Sequence, residues 1–378
     1  MNIGPTRALA LAVACLAISA CSSTATTAPS VPSASSVSPS GRTATAPTAS
    51  VSRLARIDIS AHSMAAVAMD DSSIVASVGL GATADRVERW THGKHWTQVA
   101  KSAWPNGFVN WVGVSGPWVL YVDQSRLQDD SHMNVLWKIK AVNVVTGDRR
   151  TVASNGAKPD PWVPYLGSTE QGITWTQASK SRRADLYAWE DSPGRAVEVA
   201  SDLEMTPGSD RAAGTYVYYL GPNGRGDKGH TVGGDCWRVP RVGGPPQAIT
   251  KTALALSCAP AAGSVFAGLH IDPKTPKPPA NGVLDDPYEV QNFSFSGSPG
   301  ATIETGYISD WYPVAVGRDV IWQGVDGVPV LSDPRGHRIS LGSDSASFIR
   351  VAGNTILSAA NPVRGRVSIQ RYELSDVN

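Results

Sequence analysis

The sequence predicts an all-β fold, a ring of small antiparallel sheets of the β-propeller type, on three observations. Beyond residue 53 there is no apolar stripe of helical period. Short β-rich runs recur instead, each followed by a Gly or polar turn and a partner run. The second run of each repeat returns at intervals of roughly 36 to 55 residues, which brackets the ~45 residues of a four-stranded blade. These second runs are SSIVASV from Ser72, PWVLYVD from Pro117, GITWTQA from Gly172, GTYVYYL from Gly214, GSVFAGL from Gly263, RDVIWQG from Arg318 and NTILSAA from Asn354. They predict seven blades, with a distorted six as the alternative.

The first element in chain order is a targeting segment. Arg7 supplies a sparse positive charge, and Ala8 to Ile18 is an apolar run too short for a stable bilayer span. The run ends in Ile18-Ser19-Ala20-Cys21, which resembles the lipobox of bacterial lipoproteins. The resemblance implies a lipoprotein signal peptide over 1–20, removed in the mature chain. It also implies a diacylglycerol on the Cys21 thiol, with palmitate-type chains. One acyl chain holds a protein only marginally, so the several chains usual in that family would make the anchor. An ordinary secretory cleavage site that happens to abut a cysteine is the alternative. Residues 21–52 follow as a Ser/Thr/Ala/Pro tether without an aromatic and with almost no charge, a composition that cannot offset its own ordering entropy. Proline-rich chain of about 30 residues reaches up to roughly 90 Å, enough to hold a folded body clear of a cell wall.

The propeller is expected over 53–378. Third runs follow the second ones in step: RVERWTHG, NVLWKIKA, DLYAWEDS, CWRVPRVGG, YEVQNFSFSG, VPVLSDPRG and VSIQRYEL. Fourth runs such as RTVAS, VEVAS, QAIT and HRISL follow most of them. The pattern resembles TolB-like (WD40-like) propellers, most clearly in PYLGSTEQGITWTQASKSRRADLYAWEDSPGRAVEVAS, and covers most of residues 54 to 374. No fourth run follows the last repeat, whereas the alternating segment Arg53 to Ser60 precedes the first repeat without a partner. An open ring would expose strand edges, so this N-terminal strand is expected to complete the last blade and close the ring. The alternative is that it prolongs the tether.

Catalytic signatures are sparse. Ser168-Thr-Glu-Gln-Gly172-Ile-Thr174-Trp175 resembles a sialidase Asp-box, but it has Glu170 in place of Asp, occurs once, and falls between first and second strands. It reads as a turn. Retaining glycosidases need two carboxyls about 5 Å apart, and the adjacent pairs Asp129-Asp130 and Asp285-Asp286 lie in loops between strands, where such pairs form solvated turns. No Gly-x-Ser-x-Gly elbow is present. GLGATA from Gly79 leads into a strand rather than a helix, so it is no phosphate cradle. The seven histidines are scattered, and neither a zinc nor a calcium spacing occurs. No metal and no cofactor is expected. The net charge of +1 gives no argument for a nucleic-acid partner.

The twelve tryptophans are the informative excess. Trp118, Trp175 and Trp322 fall in second strands and Trp90, Trp137, Trp189 and Trp237 in third strands, where large rings would fill the wedge between twisted sheets. Trp104, Trp111, Trp162 and Trp311 come at or just before inner strands, which in a propeller surround the mouth of the channel. With the polar neighbours Asn110, Asp160, Asp310 and Tyr312, the residues Trp111, Trp162 and Trp311 are the candidate ligand or partner site. Aromatic faces beside carboxylates and amides suit a sugar ring or an extended peptide. Simple packing beneath the loops is the competing account.

Cys236 and Cys258 remain beside Cys21. An oxidising compartment favours a disulfide between them. The propeller pattern sets Cys258 near the end of an inner strand and Cys236 at the start of a third, ends that lie on opposite faces. The bonded and the free state are both open at this level. The expected protein is thus extracytoplasmic and lipid-anchored, a non-catalytic binding or scaffold propeller with an envelope protein or glycan as partner. An enzyme acting on glycans or an envelope polymer at the channel mouth is the alternative. Its oligomeric state is not legible.

Overall fold

A computed structural model describes residues 50–91, 95–125, 135–156, 163–169, 172–179, 183–205, 209–221, 234–270, 287–307, 313–323, 328–333, 337–342 and 346–375. They belong to one compact unit, Thr48–Asn378. The predicted signal peptide with Cys21, the tether up to residue 49, and Asp160, Trp162, Asp310, Trp311 and Tyr312 lie outside the described residues.

The described strands form seven four-stranded antiparallel sheets, and no helix occurs among them. In the first six blades the spatial order of strands follows the chain. Their inner strands are Ser63–Met69, Phe108–Ser115, Tyr165–Thr169, Arg211–Ala213, Ala255–Ala261 and Val314–Val316. The seventh blade has Phe348–Ala352 innermost, then Thr355–Ala359 and Arg366–Ser375, and its outer strand is Ser50–Ser60 from the beginning of the chain. The architecture is therefore a seven-bladed propeller closed by its N-terminal strand. All seven second runs picked out in the sequence are second strands.

The closing strand reaches further back than the apolar pattern indicated. Ser50, Val51 and Ser52 pair with Ser375, Leu374 and Glu373, inside the stretch read as tether. Backbone pairing to a long third strand extends the ladder there, and backbone pairing leaves no compositional trace. Ile57 and Ile59 then anchor the strand by burying against Val67, Ile74 and Val78 of blade one.

The core is divided among the blade boundaries instead of being gathered in one place. Seven apolar clusters occur among the described residues, one between each pair of neighbouring blades. Second strands consequently bury both faces, and Ser73–Gly79 and Trp118–Gln124 are buried at every position. This explains their near-continuous apolar sequence, which lacks the alternation of a half-exposed strand. Trp118, Trp137, Trp175, Trp189 and Trp322 are buried in these wedges. Trp118 meets Trp189 of blade three edge-on at 5.3 Å and donates its indole N–H to the Asp191 carbonyl at 3.1 Å.

Cys236 and Cys258 form a disulfide that joins the third strand of blade four to the inner strand of blade five, with Cα atoms 5.6 Å apart. The opposite-face placement inferred from sequence does not hold. Cys258 sits in the middle of Ala255–Ala261, not near its end. A register shift between Ala255 and Ser257 and the bridge Gly234–Ala255 bring that stretch beside the start of Cys236–Pro240.

Candidate functional site

Strand order sorts the connections onto the two ends of the ring. Turns from first to second strands are short, as at Gly116-Pro117, Gly214-Thr215, Ala262-Gly263 and Gly317-Arg318. The opposite end carries the connections between second and third strands and those between blades. The consecutive strand ends farthest apart in sequence are there: Gln124 and Trp137, Ser154 and Tyr165, Leu220 and Cys236, and His270 and Pro287. That end is the candidate binding end, since loops carried on a rigid scaffold are where binding residues concentrate.

A buried carboxylate fixes one sector of it. Asp123, at 0% exposure and next to last in the strand Trp118–Gln124, accepts from Ser102 Oγ–H at 2.6 Å, the Ala103 amide at 3.1 Å and Lys140 Nζ at 2.7 Å. The carboxylate thus ties the connection from blade one to blade two onto the second blade. Trp104 in that connection lies beneath Lys138, whose Nζ is 5.0 Å from the ring centroid. Gly107 completes the turn where a Cβ would come within 2.5 Å of the Gln124 carbonyl oxygen.

Next to it the inner strand of blade two carries a bulge. Val109 pairs with Asp123 and Val112 with Tyr121, so Asn110 and Trp111 together face a single partner position. A bulge re-aims side chains. Here the Trp111 ring is set 4.9 Å from that of Tyr165, which opens the inner strand of blade three at 39% exposure. Trp111 also packs into the wedges on both sides of blade two, and its indole N–H is buried without a hydrogen-bond partner among the described residues. It is therefore a wall of the rim and a packing residue at once. Asn110 beside it is half-buried. Of the candidate site residues, these two are brought together here; Tyr165 is an addition the sequence pattern did not single out.

The channel itself holds a second polar group that the sequence reading missed. Arg350, in the inner strand of blade seven, donates Nε–H to the Val67 carbonyl and Nη1–H to the Ile349 carbonyl, both at 2.7 Å. The free edge of an inner strand leaves carbonyls unpaired, and Arg350 caps one across the boundary with blade one. Arg211 opens the inner strand of blade four and donates to the Asp210 carbonyl at 2.6 Å. Burial pushes the Arg350 pKa down to about 10, with the Arg211 charge adding to the effect. Burial also lowers that of Arg211, against the pull of Asp210. Asp210 is fully buried in the cleft toward blade three, where its Oδ2 would be 3.0 Å from a Cβ on Gly167. Burial raises its pKa, opposed by the Thr174 hydroxyl and by Arg211. Neither carboxylate oxygen meets a donor in hydrogen-bonding geometry among the described residues. The signal that could have marked this group was a lone cation within the apolar runs DRAAG and FIRVA.

No group of three metal-ligating side chains occurs among the described residues. No described helix is long and apolar enough to cross a membrane. The sequence matches no protein-family model, and no curated protein matches it. Solved propeller structures do resemble it. BamB from Moraxella catarrhalis aligns at 13% identity and TM-score 0.43, over 85% of this chain and 97% of that one. TolB from Acinetobacter baumannii aligns at 14% identity and TM-score 0.39, over 69% of this chain and 60% of that one. A Pyrococcus horikoshii acylaminoacyl peptidase aligns at 12% identity and TM-score 0.48, over 67% of this chain and 42% of that one. At such scores the likenesses add nothing to what the strand order of this chain already establishes.

Proposed function

We propose that this chain is a non-catalytic binding propeller, carried outside the cytosol on a lipid attached to Cys21. In this reading it offers the long-loop end of its ring to an envelope protein or glycan. The observation that carries the proposal is the built rim on blades one to three. The Asp123 network holds the connection bearing Trp104, and the Asn110–Trp111 bulge sets an aromatic pair with Tyr165 at the same end. Ordered aromatic faces on a rigid ring stack on sugars or peptides at little entropic cost. The lipobox-like Ile18-Ser19-Ala20-Cys21 and the nearly uncharged stretch after it support the anchor and the tether.

Crosslinking in the native envelope, followed by mass spectrometry, identifies the partner. A Trp111→Ala, Tyr165→Ala double variant that still folds is expected to lose most of the captured material. Trp162→Ala, Trp311→Ala tests the remainder of the proposed rim in the same way. Undiminished capture by both variants removes the site. Incorporation of labelled palmitate that vanishes in Cys21→Ser is the outcome expected for the anchor, and a label retained in that variant overturns it.

A further inference from the structure

At the long-loop end of blade two the ladder sets three residues side by side. Val109 of the inner strand pairs with Asp123, and Asp123 pairs with Lys138 of the third strand, Trp137–Asn143. Neighbouring strands lie about 4.8 Å apart, so Lys138 stands about 10 Å outward from the start of the Asn110–Trp111 bulge in the same sheet. Its ammonium lies 5.0 Å from the centroid of the Trp104 ring, over the connection that Asp123 fastens.

Among the described residues no carboxylate pairs with Lys138, unlike the other lysines of this sector. Lys101, at the end of blade one's outer strand, is held by Asp85 at 3.4 Å, and Lys140 by Asp123 at 2.7 Å. Asp123, the ladder partner of Lys138, is fully buried and already shared among the Ser102 hydroxyl, the Ala103 amide and Lys140. Lys138 is half-buried. An ammonium on a ring face still has donors to give, and partial burial strengthens their pull on an anion.

Inward along the same edge stand the half-buried Asn110 amide and the Trp111–Tyr165 pair. The apolar faces of a pyranose stack on such rings while its hydroxyls meet an amide, and a carboxylate on a linked sugar can reach the ammonium. An extended peptide is held instead through rows of backbone hydrogen bonds at a strand edge, whereas this arrangement offers ring faces, one amide and one ammonium.

We propose that the rim takes an acidic oligosaccharide, with one sugar ring on Trp111 and Tyr165 and a uronic-acid carboxylate on Lys138. The proposal names the ligand class of the rim and rests on the binding reading given above.

The test follows tryptophan fluorescence of the full chain titrated at low ionic strength with short oligogalacturonate, and with the same oligomer as its uncharged methyl ester. A saturable change is expected with the acid, at an affinity about tenfold or more above that of the ester, weakening as salt is raised. Lys138→Met, which keeps an apolar stem over Trp104, should lose that advantage and bind acid and ester alike. Trp111→Ala, Tyr165→Ala should weaken both. Equal binding of acid and ester by the wild type overturns the proposal, as does an acid preference that survives in Lys138→Met. A polyglutamate peptide bound as tightly as oligogalacturonate, with the same loss in Lys138→Met, makes the rim an acidic-peptide site and also overturns it. Should Lys138→Met fail to fold, the wild-type comparison of acid, ester and peptide decides. Absence of any binding overturns the acidic-sugar assignment alone, because the rim reading itself is judged by envelope capture and fails only on undiminished capture by the aromatic variants.

Discussion

At the scale of single residues, buried carboxylates do the fastening, and they differ in how well they are compensated. Asp123 has three donors and is expected to be a strong brace. Asp123→Ala leaves the Lys140 ammonium and the Ala103 amide without their acceptor, and a loss of about 2–4 kcal/mol is expected in urea unfolding. Asp210 is the opposite case, a fully buried carboxyl with a raised pKa and, among the described residues, no donor in bonding geometry. A raised folded-state pKa means that its contribution is most favourable below the unfolded value and is lost as pH rises through the folded one. Asp210→Asn removes the charge while keeping the shape. It is therefore expected to match the wild type near pH 4 and to be the more stable protein at pH 7, by about 1–3 kcal/mol. A wild type that gains on the variant as pH rises would contradict this. Trp111 was legible as a candidate from its place at or just before an inner strand, and it lies within Phe108–Ser115. Its partner Tyr165 was not, because the bulge that joins them is a matter of register.

Among elements, the boundaries between blades set local strength. The fourth blade is thin, with an inner strand of only Arg211–Ala213 and an outer strand of Gln247–Ala248, and the disulfide sits on its flank. Cross-linking residues 22 apart restricts the unfolded chain by about 3 kcal/mol. Replacing both cysteines by serine should cost about that much, and hydrogen exchange should quicken first in blades four and five. Uniform exchange across the ring would mean that blade four is not the weak sector. The boundary between blades three and four depends on Gly167, whose added Cβ would lie 2.3 Å from the Asp210 carbonyl oxygen. Gly167→Ala is expected to cost about 1–3 kcal/mol by overpacking, read as a lowered urea midpoint. The sequence carried the second and third strands of every blade clearly, since both faces of a second strand are buried. Outer strands were legible in only some blades, because a largely exposed strand such as Thr97–Lys101 has little apolar signature.

For the whole molecule, closure decides stability. The outer strand of blade seven comes from the other end of the described chain, and it fills the boundary with blade one through Ile57 and Ile59. A protein lacking residues 1–47 should unfold at the wild-type midpoint. One lacking residues 1–60 exposes the edge of Arg366–Ser375 and the apolar cluster behind it, and is expected to aggregate or to lose cooperative unfolding. Equal midpoints for the two would show that the ring does not need its latch.

By itself the sequence indicated what is periodic and local: the all-β class, the repeat, the packing tryptophans and a spare strand suited to close the ring, while the choice of seven blades over six and the closure itself were decided by the structure. Each of these leaves its mark on neighbouring residues, because burial on a pleated sheet has a fixed short period. Only the tertiary structure decided the disulfide, the Trp111–Tyr165 pair and the Asp123 brace. Those depend on bulges and on strand register, and residues far apart in the chain carry no shared pattern that announces such a meeting.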